Sequence, residues 1–138
     1  MYRDEDTIAS HIQDFLAADA YAVVGASANR RKYGNKVLRC YLQHNKTVYP
    51  VNPVAKSIEG LDCFKEIADL PNGVTSISVI TSPAVTEKIV EHAIRKGIKN
   101  IWMQPGAESI DAINSCIKHQ INIIAKGPCI LVVLGFSE

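Results

Sequence analysis

Five short runs of β-branched and apolar residues, each separated from the next by a helix-length segment, constrain this chain more than anything else in it. The runs lie at residues 21–24, 47–51, 75–81, 98–103 and 121–125. Strands joined through connections of that length pair in parallel, through right-handed crossovers. The runs are almost continuously apolar, as strands must be when helices cover both faces of a sheet. The expected fold class is therefore α/β, a doubly wound parallel sheet of about five strands. The 138 residues are enough for one domain spanning 1–138, with residues 1–19 forming an N-terminal helix packed on it.

The intervening segments carry helix signals. Thr7 or Asp6 can cap a first helix whose Ile8, Ile12, Phe15 and Leu16 form one apolar stripe. Val37, Leu38, Tyr41 and Leu42 mark a second. Pro50 places the second strand at an edge of the sheet or at an irregularity. A loop with Asn52-Pro53 and Gly60 follows, then a short helical piece over 64–70 that Pro71 stops. Pro83 fits the first turn of the next helix, buried through Val85, Ile89, Ala93 and Ile94, and Gly97 ends it. Ser109 can cap a helix containing Ile110, Ile113 and Ile117. Residues 130–134 read as a short sixth strand.

Several classes are disfavoured. Met1-Tyr2-Arg3-Asp4-Glu5-Asp6 is too acidic for a secretory signal, and no apolar run approaches the roughly 20 residues needed to span a bilayer. Cys40, Cys63, Cys116 and Cys129 form no CxxC pair and have no histidine at metal-ligand spacing. The expectation is a cytoplasmic protein with free thiols, no metal, no membrane and no nucleic-acid partner.

Fifteen Lys/Arg against fourteen Asp/Glu give a net charge of +1, and that total hides an asymmetry. Residues 20–58 hold Arg30, Arg31, Lys32, Lys36, Arg39, Lys46 and Lys56 without a single acid. The remainder holds eight basic and fourteen acidic residues. A local excess of that kind points to an anion site.

In open parallel sheets ligands bind outside the carboxyl ends of the strands. Those ends read Gly25-Ala26-Ser27, Asn52-Pro53, Thr81-Ser82-Pro83, Gln104-Pro105-Gly106 and Lys126-Gly127-Pro128-Cys129. Strand ends need turn residues in any case, but here they coincide with the basic block. Gly25 and Ala26 allow close backbone approach, and Ser27 adds a hydroxyl. Gly34 does the same at the mouth of the second helix, where N–H groups favour negative charge. Arg30, Arg31 and Lys32 lie between them, within reach of phosphates. The dinucleotide fingerprint G-x-G-x-x-G is absent, and so is the acid about 20 residues on that would bind a ribose diol. A missing carboxylate favours a ligand with additional phosphate, hence NADP or coenzyme A (CoA) over NAD. No Walker A pattern is present.

Val23-Val24-Gly25-Ala26-Ser27, the basic loop to Gly34, Val51-Asn52-Pro53 with Gly60, Pro71, Thr81-Ser82-Pro83, Ile101-Trp102-Met103-Gln104-Pro105-Gly106 and Gly127-Pro128-Cys129 together resemble the CoA-binding domain family. This is the Rossmann-like module that opens the succinyl-CoA synthetase alpha subunit and the ADP-forming acetyl-CoA synthetases, and that also occurs alone. The resemblance implies that Gly25, Ala26 and Ser27 hold the CoA pyrophosphate, with the basic loop nearby. It implies that Asn52 and Pro53 flank the adenosine, that Thr81, Ser82 and Pro83 line the crevice, and that Gln104 and Gly106 face the pantetheine. Two departures stand out. The residues before the last cysteine are Ala125-Lys126-Gly127-Pro128, where many standalone relatives have an acidic and basic pair. The synthetases' phosphorylated histidine lies in a further domain that this chain lacks.

Catalytic groups are sparse. His11, His44, His92 and His119 fall within or at the end of expected helices and read as packing or surface residues. Glu108 reads as a general base or as a first-turn acid favoured by the helix dipole, the latter preferred. Cys129 can form a mixed disulfide with the CoA thiol, act as a nucleophile, or simply be a structural thiol. The expectation is a CoA or acyl-CoA binding module without chemistry of its own: a carrier, a sensor, or a subunit for a partner with a catalytic domain. The alternative is an NADP-dependent oxidoreductase or a CoA-linked transferase.

Overall fold

The apolar runs pair as expected. In the computed structural model, which describes residues 7–138, β1 (Ala20–Val24), β2 (Val48–Val51), β5 (Val74–Val79), β6 (Asn100–Met103) and β7 (Asn122–Ile124) form one sheet in the order β2-β1-β5-β6-β7. Every pairing in it is parallel. Pro50 sits on β2, the edge strand, whose outer side carries an isolated bridge from Val51 to Phe64. Between β2 and β5 lies a two-stranded antiparallel hairpin of β3 (Ser57–Ile58) and β4 (Leu61–Asp62).

The strand period of two divides the core in half. Ala20, Ala22 and Val24 of β1 face the layer formed by α3 (Pro83–Lys96) and α4 (Ile110–Lys118), through Val90, Ala93, Ala112 and Cys116. Tyr21 and Val23 face the opposite layer, formed by α1 (Ile8–Leu16) and α2 (Tyr33–Gln43), through Phe15, Val37, Leu38 and Tyr41. Thr7 caps α1 by accepting from the Ser10 N–H, and Asp6 lies outside the described residues. Gly97 ends α3 in the left-handed conformation, at φ 86°.

Three elements differ from expectation. Residues 130–134 do not add a sixth strand. Leu131–Gly135 form a single wide helical turn, with Leu131 and Leu134 packed on the α1/α2 layer and Val132 exposed. The run's β-branched composition is overridden because its apolar residues are covered by folding back onto α2. The helical piece over 64–70 is only a 3-10 turn, Ile67–Asp69. The Gly60 loop is the tip of the β3–β4 hairpin.

A polar ladder unseen in the sequence binds α1 to the sheet. The Ser76 hydroxyl donates to the Phe15 carbonyl, and Asn100 donates to Ser76 Oγ. Asn122 donates to Asn100 Oδ1 and to the His11 carbonyl, and its own Oδ1 contacts His11 Nδ1. Above it Phe15, fully buried, packs edge-on against Trp102 at 5.3 Å between ring centroids. Phe15→Ala is expected to lower the stability of the chain by about 3–5 kcal/mol in urea unfolding. A loss under about 1 kcal/mol would mean that α1 is not part of the cooperative core.

Candidate functional site

The ends of the central strands open onto a cleft whose floor is continuous backbone. Hydrogen bonding runs one residue past each strand: Gly25 N to the Val51 carbonyl, Ile80 N to that of Val24, and Gln104 N to that of Val79. Two glycines then close this floor, one bringing α2 onto the end of β1 and the other bringing that end onto the end of β5. A β-carbon on Gly34 would lie 2.1 Å from the Gly25 carbonyl oxygen, and one on Gly25 would lie 2.2 Å from that of Ile80. Gly25 also has φ of 95°, a conformation that side chains disfavour.

The loop between β1 and α2 is held from behind. Asn52 donates to the Ala26 carbonyl at 2.9 Å while its Oδ1 accepts from the Val54 and Ala55 N–H groups. Buried Asn35 donates to the Ser27 carbonyl at 2.8 Å. With these carbonyls fixed, the N–H groups of Ala26, Ser27, Tyr33 and Gly34 have no protein acceptor among the described residues. They surround a cavity of about 460 Å³ lined by Gly25, Ala26, Ser27, Lys32, Tyr33, Gly34, Asn52 and Ile80. Unsatisfied donors, a helix N-terminus and one lysine form an anion cradle. The Ser27 hydroxyl accepts from the Asn29 N–H at 3.1 Å.

Two further cavities flank the cradle. One, of about 600 Å³, has apolar walls in Val24, Val51, Ile67, Val85 and Ile89, with Pro53 and Thr81 at its side. The other, also about 600 Å³, is lined by Tyr33, Ile80, Thr81, Ser82, Gly106 and Cys129 among others. The first shares Gly25 with the cradle, and the second shares Tyr33 and Ile80 with it. The three therefore form one trough.

The basic block is largely occupied elsewhere. Arg30 pairs with Glu59 at 2.6 Å, and Lys36 pairs with Glu138 at 3.1 Å. Arg39 is buried, donating to Asn35 Oδ1 and to the Arg30 carbonyl and lying over the Phe136 ring. Of the basic triplet only Lys32 lines the cradle, and Arg31 is exposed. Pro83 is exposed in the first turn of α3. Gln104, expected to face the ligand, is fully buried behind the wall. Its Oε1 accepts from the Ile130 N–H and the Tyr33 hydroxyl. Glu108 precedes the α4 cap residue Ser109, so it is no first-turn acid; it accepts from the Gly106 N–H. Tyr33 and Ile80 line the trough without having been singled out from sequence, and His92, read there as a packing or surface residue, lines it as well. The position of Tyr33 beside Gly34 was the available signal for that residue.

Asn35, followed by the Arg30 charge, holds the Glu59 carboxyl below its ordinary value. A carboxylate with a depressed folded-state pKa stabilises the fold above its unfolded value, near 4.5. That stabilisation is lost as pH falls through the folded value. Glu59→Gln is therefore expected to flatten the fall in melting temperature below about pH 4.5. An unchanged acid limb would show that the Arg30–Glu59–Asn35 network contributes nothing. Gly34→Ala should cost about 1–3 kcal/mol in urea unfolding, although alanine is otherwise the better helix former. A stabilised variant would contradict the close contact with Gly25.

Among the described residues no helix is long and apolar enough to cross a membrane, and no group of three or more His, Cys, Asp or Glu side chains could hold a metal. A conserved hypothetical protein from Pyrococcus furiosus is 38% identical, with a TM-score of 0.79 over 83% of this chain and 97% of that one. A hypothetical protein from Pyrococcus horikoshii OT3 is 28% identical, with a TM-score of 0.85 over 91% of this chain and 88% of that one. The ADP-forming acetate–CoA ligase of Methanocaldococcus jannaschii is 28% identical over 106 residues, which are 76% of this chain and 15% of the ligase. Residues 19–135 match the CoA binding domain family, from β1 through the terminal helical turn. With its glycine-floored trough at the carboxyl ends of a parallel sheet, this chain belongs to that family.

Proposed function

We propose that the chain binds CoA or an acyl-CoA along the trough and presents its thiol end to a protein partner. The carrying observation is the adjacency of the three cavities. An apolar slot, an N–H cradle with one lysine, and a second slot lined by a cysteine share wall residues with one another. CoA has the same set of chemistries: a flat base, a pyrophosphate, and a long neutral arm ending in sulfur. In this reading the adenosine lies against Val51, Pro53 and Ile67, with Asn52 fixing the loop beneath. The pyrophosphate takes the N–H groups of Ala26, Ser27 and Gly34, with Lys32 as its counter-charge. The arm runs past Thr81, Ser82 and Gly106. Arg31 remains in reach of the ribose phosphate, while Arg30 and Gln104 hold the walls and do not touch ligand.

Membership of the CoA binding domain family favours CoA over NADP. The chain spans 15% of the Methanocaldococcus jannaschii ligase. A CoA-presenting role alongside a separate catalytic partner is consistent with that proportion. Titration calorimetry tests the reading. CoA should bind, and Lys32→Ala should weaken it about tenfold, or about 1.4 kcal/mol. Arg30→Ala should act less, since that side chain serves Glu59. Absence of heat with CoA at high micromolar concentration, with heat from NADPH, would overturn it.

A further inference from the structure

Cys129 stands apart from the other three cysteines. Cys40 and Cys116 are buried, and burial pushes their thiols up to about 11 and about 12. Cys63 is half-buried outside the trough, with its thiol also raised, first by burial. Cys129 is half-buried too, but it lines the third cavity.

Its sulfur contacts the Tyr33 hydroxyl, and that hydroxyl lies 3.2 Å from Gln104 Oε1. Burial first, and then the neighbouring Cys129 sulfur, keeps the Tyr33 phenol well above its ordinary value, so it stays a donor. With a neutral thiol, Cys129 donates to the Tyr33 oxygen and Tyr33 donates to Gln104. With a thiolate, the Tyr33 proton turns to the sulfur and makes a charge-assisted bond. Gln104 loses nothing essential in that exchange, because its Oε1 keeps the Ile130 N–H at 3.1 Å.

The Ile130 bond also fixes which end of the Gln104 amide is oxygen. Its Nε2 is left fully buried with no acceptor among the described residues. An orphaned buried donor is costly, so the wall behind Tyr33 carries an unmet hydrogen bond next to the cavity that Cys129 lines.

We propose that Cys129 is a thiol–disulfide exchange site for the sulfur terminus of CoA, with Tyr33 as its positioning residue. The proposal rests on the CoA reading above. The co-reactant is a disulfide of CoA. The Cys129 thiolate attacks one sulfur of that disulfide, the S–S bond breaks, and a Cys129–CoA disulfide forms. The displaced CoA thiolate takes a proton from solvent, replacing the one Cys129 gave up. One disulfide is consumed and one is made, so no separate oxidant is needed. The site stores CoA covalently under oxidising conditions, and any free thiol in excess releases it.

The full chain, incubated with CoA disulfide and examined by non-reducing intact-mass spectrometry, should gain one CoA less two hydrogens. Dithiothreitol should remove it, and peptide mapping of the unmutated chain should place it on Cys129. Cys63→Ser should keep the adduct and Cys129→Ser should lose it. Because binding raises the local concentration, exchange with CoA disulfide should exceed exchange with glutathione disulfide at least about tenfold. Tyr33→Phe should slow the exchange severalfold while its affinity for CoA under dithiothreitol stays within about twofold. Calorimetry with CoA under dithiothreitol separates the two ideas. CoA that binds without forming an adduct on Cys129 overturns the exchange proposal and leaves the binding reading intact. No binding of CoA overturns both.

Discussion

The backbone contact between Gly34 and Gly25 is the constraint on which the rest of the site depends. A β-carbon at either position would fall about as far from a main-chain carbonyl oxygen as two bonded atoms and their common neighbour, at 2.1 and 2.2 Å. Backbone cannot move aside as a flexible side chain can. Absence of a side chain at Gly34 lets the first turn of α2 rest on the end of β1, and its absence at Gly25 lets that end pass against the end of β5. That approach directs the N–H groups of the loop and the helix start into a single cavity. It also carries Tyr33, one residue before Gly34, to the opposite rim beside Cys129 and Gln104. The cradle and the thiol end of the trough are thus consequences of one close packing.

Charge plays a more structural part than its density implies. The acid-free block is flanked at once by Glu59, which takes Arg30, and approached from the far end of the chain by Glu138, which takes Lys36 and contacts Arg39. Arg39 ties α2 to the loop carbonyl of Arg30 and to the Phe136 ring. These cations shape the loop and retain the C-terminal turn. Lys32 lines the cradle itself. Donor N–H groups of the backbone, fixed by Asn35 and Asn52, supply most of the complementarity to an anion. Such dipoles are preorganised and incur little desolvation, unlike an assembly of mobile arginines.

Most of the fold was legible because period and punctuation are local. The five strands, the Thr7 and Ser109 caps, the edge position of Pro50 and the αL stop at Gly97 can each be read within a short window. The errors have one cause. Residues 130–134 are β-branched and apolar, but whether they extend a sheet depends on a free edge and on what they cover, and neither is local. The β3–β4 hairpin is too short for a periodicity to register.

Site residues divide the same way. Gly25, Ala26, Ser27, Lys32, Gly34, Asn52, Pro53, Thr81, Ser82 and Gly106 line the trough, since strand ends converge in any doubly wound sheet. Arg30 and Gln104 do not reach its surface, because each has a partner distant in sequence that claims it: Glu59 for one, Tyr33 and the Ile130 N–H for the other. The amino-acid sequence alone determined the layers, the strand ends and the presence of glycine where backbone must meet backbone. Those properties follow from residue type and spacing. Only the tertiary structure decided which polar groups face the trough and which face each other. That choice depends on pairings such as Tyr33 with Cys129, which are 96 residues apart and meet only when the sheet is complete.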